Sequence, residues 1–262
     1  MNVLDSFSLK GKVALVTGGA GKYGRQILEA VAEAGAVTYV AARNLEALQK
    51  EADKLNARGY DVRACKYDQG KEETIIALRD HIVSESGRID VLVNNSVARI
   101  VDSWDNDPQV YQESLNINVN GVFSMCRAFG DVMKKQNSGS IINIGSIYGM
   151  VGYDPSLYIG TDMVSADPHP AYYVEKGGMI MLTKFIGSYL GQNNIRVNCI
   201  SPGGYYTPDH NPKFLEKYNN KTFLGRMAND EDLKGIIVFL ASDASAYVTG
   251  TNIPVDGGLT AK

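Results

Sequence analysis

The chain of 262 residues carries 26 Lys plus Arg against 29 Asp plus Glu, a net charge of −3, with 44% hydrophobic and 21% charged residues. This composition supports one substantial folded core and excludes a disordered chain; without a long basic run, it also excludes the electrostatic footprint of a nucleic-acid binder. No apolar run reaches the roughly 18 residues of a membrane span and Met1 to Lys10 lacks a signal-peptide pattern, so no membrane partner and a reducing, cytoplasmic setting are expected.

In chain order, Val13-Ala14-Leu15-Val16 reads as a strand, followed by the turn Thr17-Gly18-Gly19-Ala20-Gly21-Lys22-Tyr23-Gly24 and a helix over Arg25 to Ala34. A strand feeding a helix through glycines aims backbone N–H groups and the positive end of the helix dipole at one point, which suits a phosphate. Glycine lets the turn reach φ > 0 and lets a pyrophosphate approach the backbone. A mononucleotide P-loop is excluded, because Val16 and Tyr23 stand where it needs a glycine and a Ser or Thr. A dinucleotide is the expected ligand, with Thr17, Gly18, Gly21, Lys22, Tyr23 and Gly24 as its contacts.

The next strand, Ala36 to Ala42, ends in Arg43 and Asn44 where an Asp or Glu would grip ribose hydroxyls, and a helix follows over Leu45 to Ala57. Arg43, joined by Lys22, can pair with a 2′-phosphate, so NADP(H) is expected in preference to NAD(H). An Arg43 that stacks on adenine or is merely solvated is the alternative. A strand over Asp61 to Tyr67 ends in Asp68, placed either to meet the adenine or to cap the helix running from Lys71 to Ser86. Ile89 to Val93 is a buried strand that stops in Asn94-Asn95-Ser96-Val97-Ala98, at the sheet edge where doubly wound proteins hold their ligands.

Val110 to Lys135 reads as a long helix in which Asn116, Asn118 and Asn120, next to Gly121, predict a local distortion or specific polar contacts. The strand Ser140 to Ile144 runs into Gly145-Ser146-Ile147-Tyr148, and a loop rich in Pro, Gly and Tyr occupies about 148–170. Ala171 to Lys176 opens a helix with Pro170 at its first position. Residues four apart share a helical face, so Tyr172 lies beside Lys176 while Tyr173 points elsewhere. Asn194 to Ile200 is a strand leading into Pro202, Gly203 and Thr207; a short-helix lid is expected within about 205–226, a capped helix start at Asn229 to Asp232, and a last strand at Asn252 to Val255. Strands alternating with helices, without repeat or linker, predict a single α/β domain over 1–262: a doubly wound (Rossmann) parallel sheet with helices on both faces. Cys65, Cys126 and Cys199 lie in apolar runs without C-x-x-C spacing and read as buried structural thiols, so no metal site is expected.

Together these segments resemble the short, single-domain branch of the short-chain dehydrogenase/reductase family along nearly the whole chain. The resemblance rests on the glycine turn, Asn94 to Ala98, Asn118 in Ile117-Asn118-Val119, Ser146, Tyr172-x-x-x-Lys176, and Pro202-Gly203 with Thr207. It implies an NAD(P)(H)-dependent oxidoreductase that moves a hydride between nicotinamide and a secondary alcohol or ketone. Asn118, Ser146, Tyr172 and Lys176 would form its catalytic tetrad, and Pro202, Gly203 and Thr207 would border the nicotinamide; Tyr172, Lys176 and Asn94 would also meet the cofactor. The Lys176 ammonium and the oxidised ring would lower the phenol of Tyr172 from its usual value of about 10, Ser146 would orient the reacting oxygen, and Asn118 would hold a water linking Lys176 to solvent. A homotetramer or homodimer is also implied.

The chain departs from the family pattern twice. Its turn reads T-G-x-x-G-x-x-G, the form of the longer sugar-nucleotide epimerase branch. The 26 residues from Ser146 to Tyr172 are roughly twice the usual interval. The added loop is expected over the active site, where Tyr148, Tyr153 and Tyr158, with Asp154 and Asp162, would contact a polyhydroxylated ligand; similar loops occur in family members of bacterial surface-sugar and nonulosonic-acid pathways. Two other functions fit the same residues: a non-catalytic nucleotide-binding sensor or scaffold, and a sugar epimerase or dehydratase that keeps its nicotinamide bound.

Overall fold

The computed structural model describes residues 2–161 and 169–261. Seven strands, β1 (Val13–Thr17), β2 (Val37–Ala42), β3 (Val62–Lys66), β4 (Val91–Asn94), β5 (Gly139–Ile144), β6 (Ile195–Pro202) and β7 (Asn252–Val255), lie in the order β3-β2-β1-β4-β5-β6-β7. Every neighbouring pair is parallel. Successive side chains of a strand point to opposite faces, and the sheet uses both. Ala14 and Val16 join one core with Val40, Val91 and Ile142, whereas Val13 and Leu15 join the other with Tyr39, Leu92 and Ile141.

Helices α1 (Lys22–Glu33), α2 (Leu45–Asn56) and α8 (Lys234–Ala241) cover the first face through Ile27, Leu48 and Ile237. Helices α3 (Glu72–Ser86), α5 (Gly121–Gln136) and α6 (Pro170–Leu190) cover the second through Ile82, Phe129 and Met179. Burial of both sheet faces explains the near-continuous apolar strands. The three cysteines are buried and unpaired, and burial pushes the Cys199 thiol up to about 11. Among the described residues no helix is long and apolar enough to cross a membrane, and no cluster of His, Cys, Asp and Glu could hold a metal.

The expected long helix is three pieces: α4 (Pro108–Leu115), a π turn over Asn116–Asn120, and α5. The N–H of Gly121 reaches back five residues to the Asn116 carbonyl, so the distortion falls on the three asparagines that foretold it. Elsewhere the boundaries shift. Helix α1 begins at Lys22, three residues before the expected Arg25, and β4 begins at Val91 because Ile89 instead exchanges both backbone groups with the Gln136 amide.

One expected cap is corrected, and one of the two readings of Asp68 falls away. Asn229 to Asp232 does not start a helix: Asp232 accepts the Asn229 N–H and pairs with Arg226, while the entry to α8 at Leu233 N–H is taken by Gln26 of α1. Asp68 does not cap α3 either; its carboxylate accepts the Gly70 N–H, and Lys71 at the helix entrance makes no side-chain cap.

Beyond the sheet, α7 (Pro212–Lys221) packs on the inserted loop. Leu157 and Tyr158 of the loop share a small apolar cluster with Phe214, Tyr218 and Met227. Lys221 pairs with Asp154, and Lys217 donates to the carbonyls of Ser156 and Ile159. Asp162 and the rest of 162–168 lie outside the described residues.

Candidate active site

A cleft of about 790 Å³ runs along the carboxyl ends of the strands, touching the residues that follow β1 through β6. At its centre β1 and β4 are adjacent although distant in sequence, the switch point at which open α/β sheets bind ligands. Gly18 adopts φ 70°, and its carbonyl accepts the Gly21 N–H at 3.1 Å. A Cβ on Gly24 would fall inside that carbonyl oxygen, so the first turn of α1 lies directly on the loop only because residue 24 has no side chain. Gly21 at the helix entrance provides no side-chain cap, leaving the N–H groups of the first turn to an anion.

Asn95 fastens this turn: its amide donates to the carbonyls of Thr17 and Gly18 at 3.0 and 3.1 Å. Thr17 itself is fully buried and accepts the N–H groups of Asn95 and Ser96 at 2.9 and 3.0 Å, so it ties β1 to β4 behind the cleft instead of facing it. Tyr23 lines the cleft and donates to the Gly203 carbonyl at 2.8 Å, bringing Pro202 and Gly203 alongside. Lys22 and Arg43 are exposed on the cleft wall. Asn44 and Asp68 also line it, although the side chain of Asn44 caps α2 through the Ala47 N–H. The glycine cradle and uncapped helix entrance fit the pyrophosphate of a dinucleotide.

Ser146, Tyr172 and Lys176 meet at the other end. The loop after β5 makes a 3₁₀ turn over Ile147–Gly149, and a Cβ on Gly149 would come 2.6 Å from the Lys176 carbonyl group. That glycine therefore sets how closely Ser146 approaches α6. Ser146 accepts the Tyr148 N–H at 3.2 Å, which leaves its O–H free to donate into the cleft. Lys176 is 4% exposed, donates to the Ile144 carbonyl at 2.7 Å, and places its ammonium 5.6 Å from the Tyr172 ring centroid. Burial raises the Tyr172 phenol, but Lys176, Arg99 and the Ser146 hydroxyl together outweigh it and hold the group below its ordinary value.

Several expected contacts stand away from the cleft. Asn118 is 3% exposed and grips the Ala98 backbone from both sides, accepting its N–H at 2.8 Å and donating to its carbonyl at 2.7 Å. Its side-chain amide is thus occupied in positioning the segment after β4. Asn94 is buried behind the sheet edge, bonded to Asn143 at 2.9 Å. Thr207 turns toward His210, its N–H donating to Nδ1 at 3.1 Å.

Tyr173, expected to point elsewhere, lines the cleft and packs 4.9 Å from the Tyr148 ring. Tyr148, Tyr153 and Tyr158 form the wall supplied by the inserted loop. Tyr148 and Tyr158 share a hydroxyl hydrogen bond of 2.8 Å, and Tyr153 stacks on Tyr158 at 5.8 Å. Sequence reasoning drew out the Asn94–Ala98 segment without giving Asn95 its own role, and missed Arg99, Tyr173 and Glu175. Arg99 directly follows that segment at the ligand edge, a placement that could have singled it out, whereas Glu175 carries no periodic signal. It is 2% exposed and accepts the Ser114 hydroxyl at 2.6 Å.

A family model described as enoyl-(acyl carrier protein) reductase matches residues 22–260. The chain is 35% identical to the 3-oxoacyl-(acyl-carrier-protein) reductase FabG of Thermotoga maritima, over 96% of this chain and 98% of that protein. It is 32% identical to the D-threitol dehydrogenase of Mycolicibacterium smegmatis, over 100% of this chain and 98% of that one. Among solved structures, a gluconate 5-dehydrogenase from Burkholderia cenocepacia in complex with NADP and tartrate superposes with a TM-score of 0.89 at 28% identity, covering 100% of both chains.

Proposed function

The chain belongs to the short-chain dehydrogenase/reductase family as a single-domain member, and on that premise we propose that Tyr172, Ser146 and Lys176 are its catalytic groups, with Asn118 positioning the segment beside them, and that NADP(H) is its preferred cofactor. It is an NAD(P)(H)-dependent oxidoreductase acting between alcohols and ketones. The observation that carries the site assignment is the phenol of Tyr172, held below its ordinary pKa by Lys176 and Arg99 and facing the Ser146 hydroxyl.

When bound, the nicotinamide supplies or accepts the hydride. Tyr172 gives its proton to the carbonyl oxygen in reduction and takes it from the alcohol in oxidation. Ser146 donates to that same oxygen, orienting it and stabilising the charge that develops there. Lys176, fixed by the Ile144 carbonyl, favours the phenolate left behind. NADPH consumption that depends on added ketone distinguishes this cycle from a sensor, which consumes none, and from an epimerase, which returns its cofactor unchanged.

The pH dependence follows from the lowered phenol. Oxidation needs phenolate, present above the pKa of Tyr172, so kcat/KM for the alcohol rises with pH through an inflection below that of an ordinary phenol; reduction needs the protonated form and falls over the same range. Removing the ammonium in Lys176→Met takes away a lowering influence, and the inflection in the pH profile moves upward.

Preference for NADP(H) is supported by Arg43 and Lys22 on the cleft wall, with no carboxylate at the end of β2. Arg43→Ala is expected to lower kcat/KM for NADPH roughly 10- to 100-fold, the scale of a hydrogen-bonded charge, and to leave NADH nearly unchanged. Equal losses with both cofactors would place Arg43 elsewhere than at the 2′-phosphate. The substrate we assign is a polyhydroxylated alcohol or its ketone: the tyrosine wall offers flat faces and hydroxyls to a sugar chain, and D-threitol and gluconate dehydrogenases are among the relatives. A homo-oligomer is also proposed, joined through the exposed Met181, Phe185 and Tyr189, four residues apart on α6.

A further inference from the structure

Among the described residues, Arg99 lines the catalytic end of the cleft with no carboxylate paired to it, its guanidinium resting on the Tyr172 phenol. Its seat is firm, because the preceding Ala98 is clamped through both backbone groups by Asn118. From there the guanidinium carbon lies 5.0 Å from the Tyr172 ring centroid, beside the group that exchanges the proton. We infer that Arg99 receives a carboxylate of the substrate, close to its reacting carbon, and that the enzyme acts on hydroxy or keto acids of the sugar-acid type. The inference rests on the oxidoreductase reading above and narrows its substrate.

The surroundings favour an external anion. Among the described residues two carboxylates line the same end, and both are engaged within the chain: Asp102 accepts the Asn106 amide at 3.0 Å, and Glu175 accepts the Ser114 hydroxyl at 2.6 Å. Neither pairs with Arg99. The other lining cations are elsewhere or occupied, Lys22 and Arg43 beside the nucleotide turn and Lys176 on the Ile144 carbonyl. A planar guanidinium has five N–H donors, so one that shares a hydrogen bond with Tyr172 still has donors to match one carboxylate, whereas a phosphate dianion would call for a second cation. Arg99 also helps to hold the Tyr172 phenol down, so substitution there affects every substrate, and only a comparison between matched substrates isolates recognition.

Two such pairs are 2-keto-D-gluconate with D-fructose and 5-keto-D-gluconate with L-sorbose; within each, a carboxylate replaces a primary alcohol. With NADPH, the wild type is expected to favour the acid in at least one pair. The acid-to-neutral ratio of kcat/KM then falls roughly 10- to 100-fold in Arg99→Gln and is partly restored in Arg99→Lys. Any shared effect through Tyr172 cancels in the ratio. A wild-type ratio near one in both pairs, or a ratio unchanged in Arg99→Gln, overturns the inference and leaves the oxidoreductase reading intact. Preference for D-fructose 6-phosphate over both acids overturns the carboxylate assignment. If no carbonyl compound is reduced, the catalytic reading fails on its own, and thermal melting with NADP⁺ and tartrate still decides the role of Arg99. Stabilisation by tartrate that disappears in Arg99→Gln supports it; stabilisation that is absent, or retained in the variant, refutes it.

Discussion

Tyr172→Phe is expected to bring ketone reduction down by roughly 10²- to 10⁴-fold, the range attributed to a positioned general acid, while NADPH binds within a few-fold of wild type. The ring keeps its place: it packs edge-on to Tyr148 at 6.4 Å and lies beneath Arg99 and the Lys176 ammonium, and these ring contacts survive the loss of the hydroxyl. The hydroxyl goes, and with it the proton and the hydrogen bonds to Ser146 and Arg99. Steady-state rates over a ketone panel, with a fluorescence titration of NADPH, measure the two effects separately. A variant that still turns over at near wild-type rate would take the proton transfer away from Tyr172.

The second large effect lies at the other end of the cleft. In Gly24→Ala the new methyl must displace the Gly18 carbonyl, and that loop cannot yield cheaply. Gly18 N–H is bonded to the Ala41 carbonyl at 2.8 Å, and its own carbonyl holds the Gly21 N–H and the Asn95 amide, each at 3.1 Å. The start of α1 must move instead, carrying away the N–H groups meant for the pyrophosphate. Nucleotide affinity is expected to fall by roughly 10²-fold or more, as several charge-assisted bonds are lost together, with a stability cost of about 1–3 kcal/mol from overpacking. Gly235→Ala in α8 is the control: a Cβ there meets nothing within 4 Å, and the protein should gain about 0.5–1 kcal/mol. Calorimetric titration with NADPH and thermal melting of both variants test the contrast; unchanged affinity in Gly24→Ala would mean that the turn does not hold the pyrophosphate.

Much of this architecture was readable because two local signals agreed. Apolar strands bounded by glycine, such as Val13 to Val16, alternate with helices whose apolar residues recur every three or four positions, and that alternation leaves few arrangements other than a parallel sheet covered on both faces. The asparagines at 116, 118 and 120 marked the distorted helix for the same reason: their side chains compete with the backbone. What escaped notice depends on contacts between residues far apart in the chain. Gln26 supplies the entrance to α8 from some two hundred positions away, so no local pattern near Asn229 could reveal it. Thr17 and Asn94 close the strands β1 and β4 at the ligand edge, but a strand end has an outer and an inner side, and their hydrogen bonds turn them to the inner one; Asn118, on the π turn, spends its amide on Ala98. Arg99 and Tyr173 escaped because loop and helix side chains acquire a direction only once the segments around them are packed.

The π turn at Asn116–Asn120 makes the length of this segment as strictly specified as its chemistry. A wide turn takes up one residue more than the α spiral needs, so α4 and α5 keep their facings on either side of it and Ser114 stays opposite Glu175. Deleting one residue there would let the two pieces merge into an unbroken rod with little rotation upstream. What would go is the local bulge that presents Asn118 to the Ala98 backbone, so the extra residue is kept for that grip and not for the direction of the chain before it.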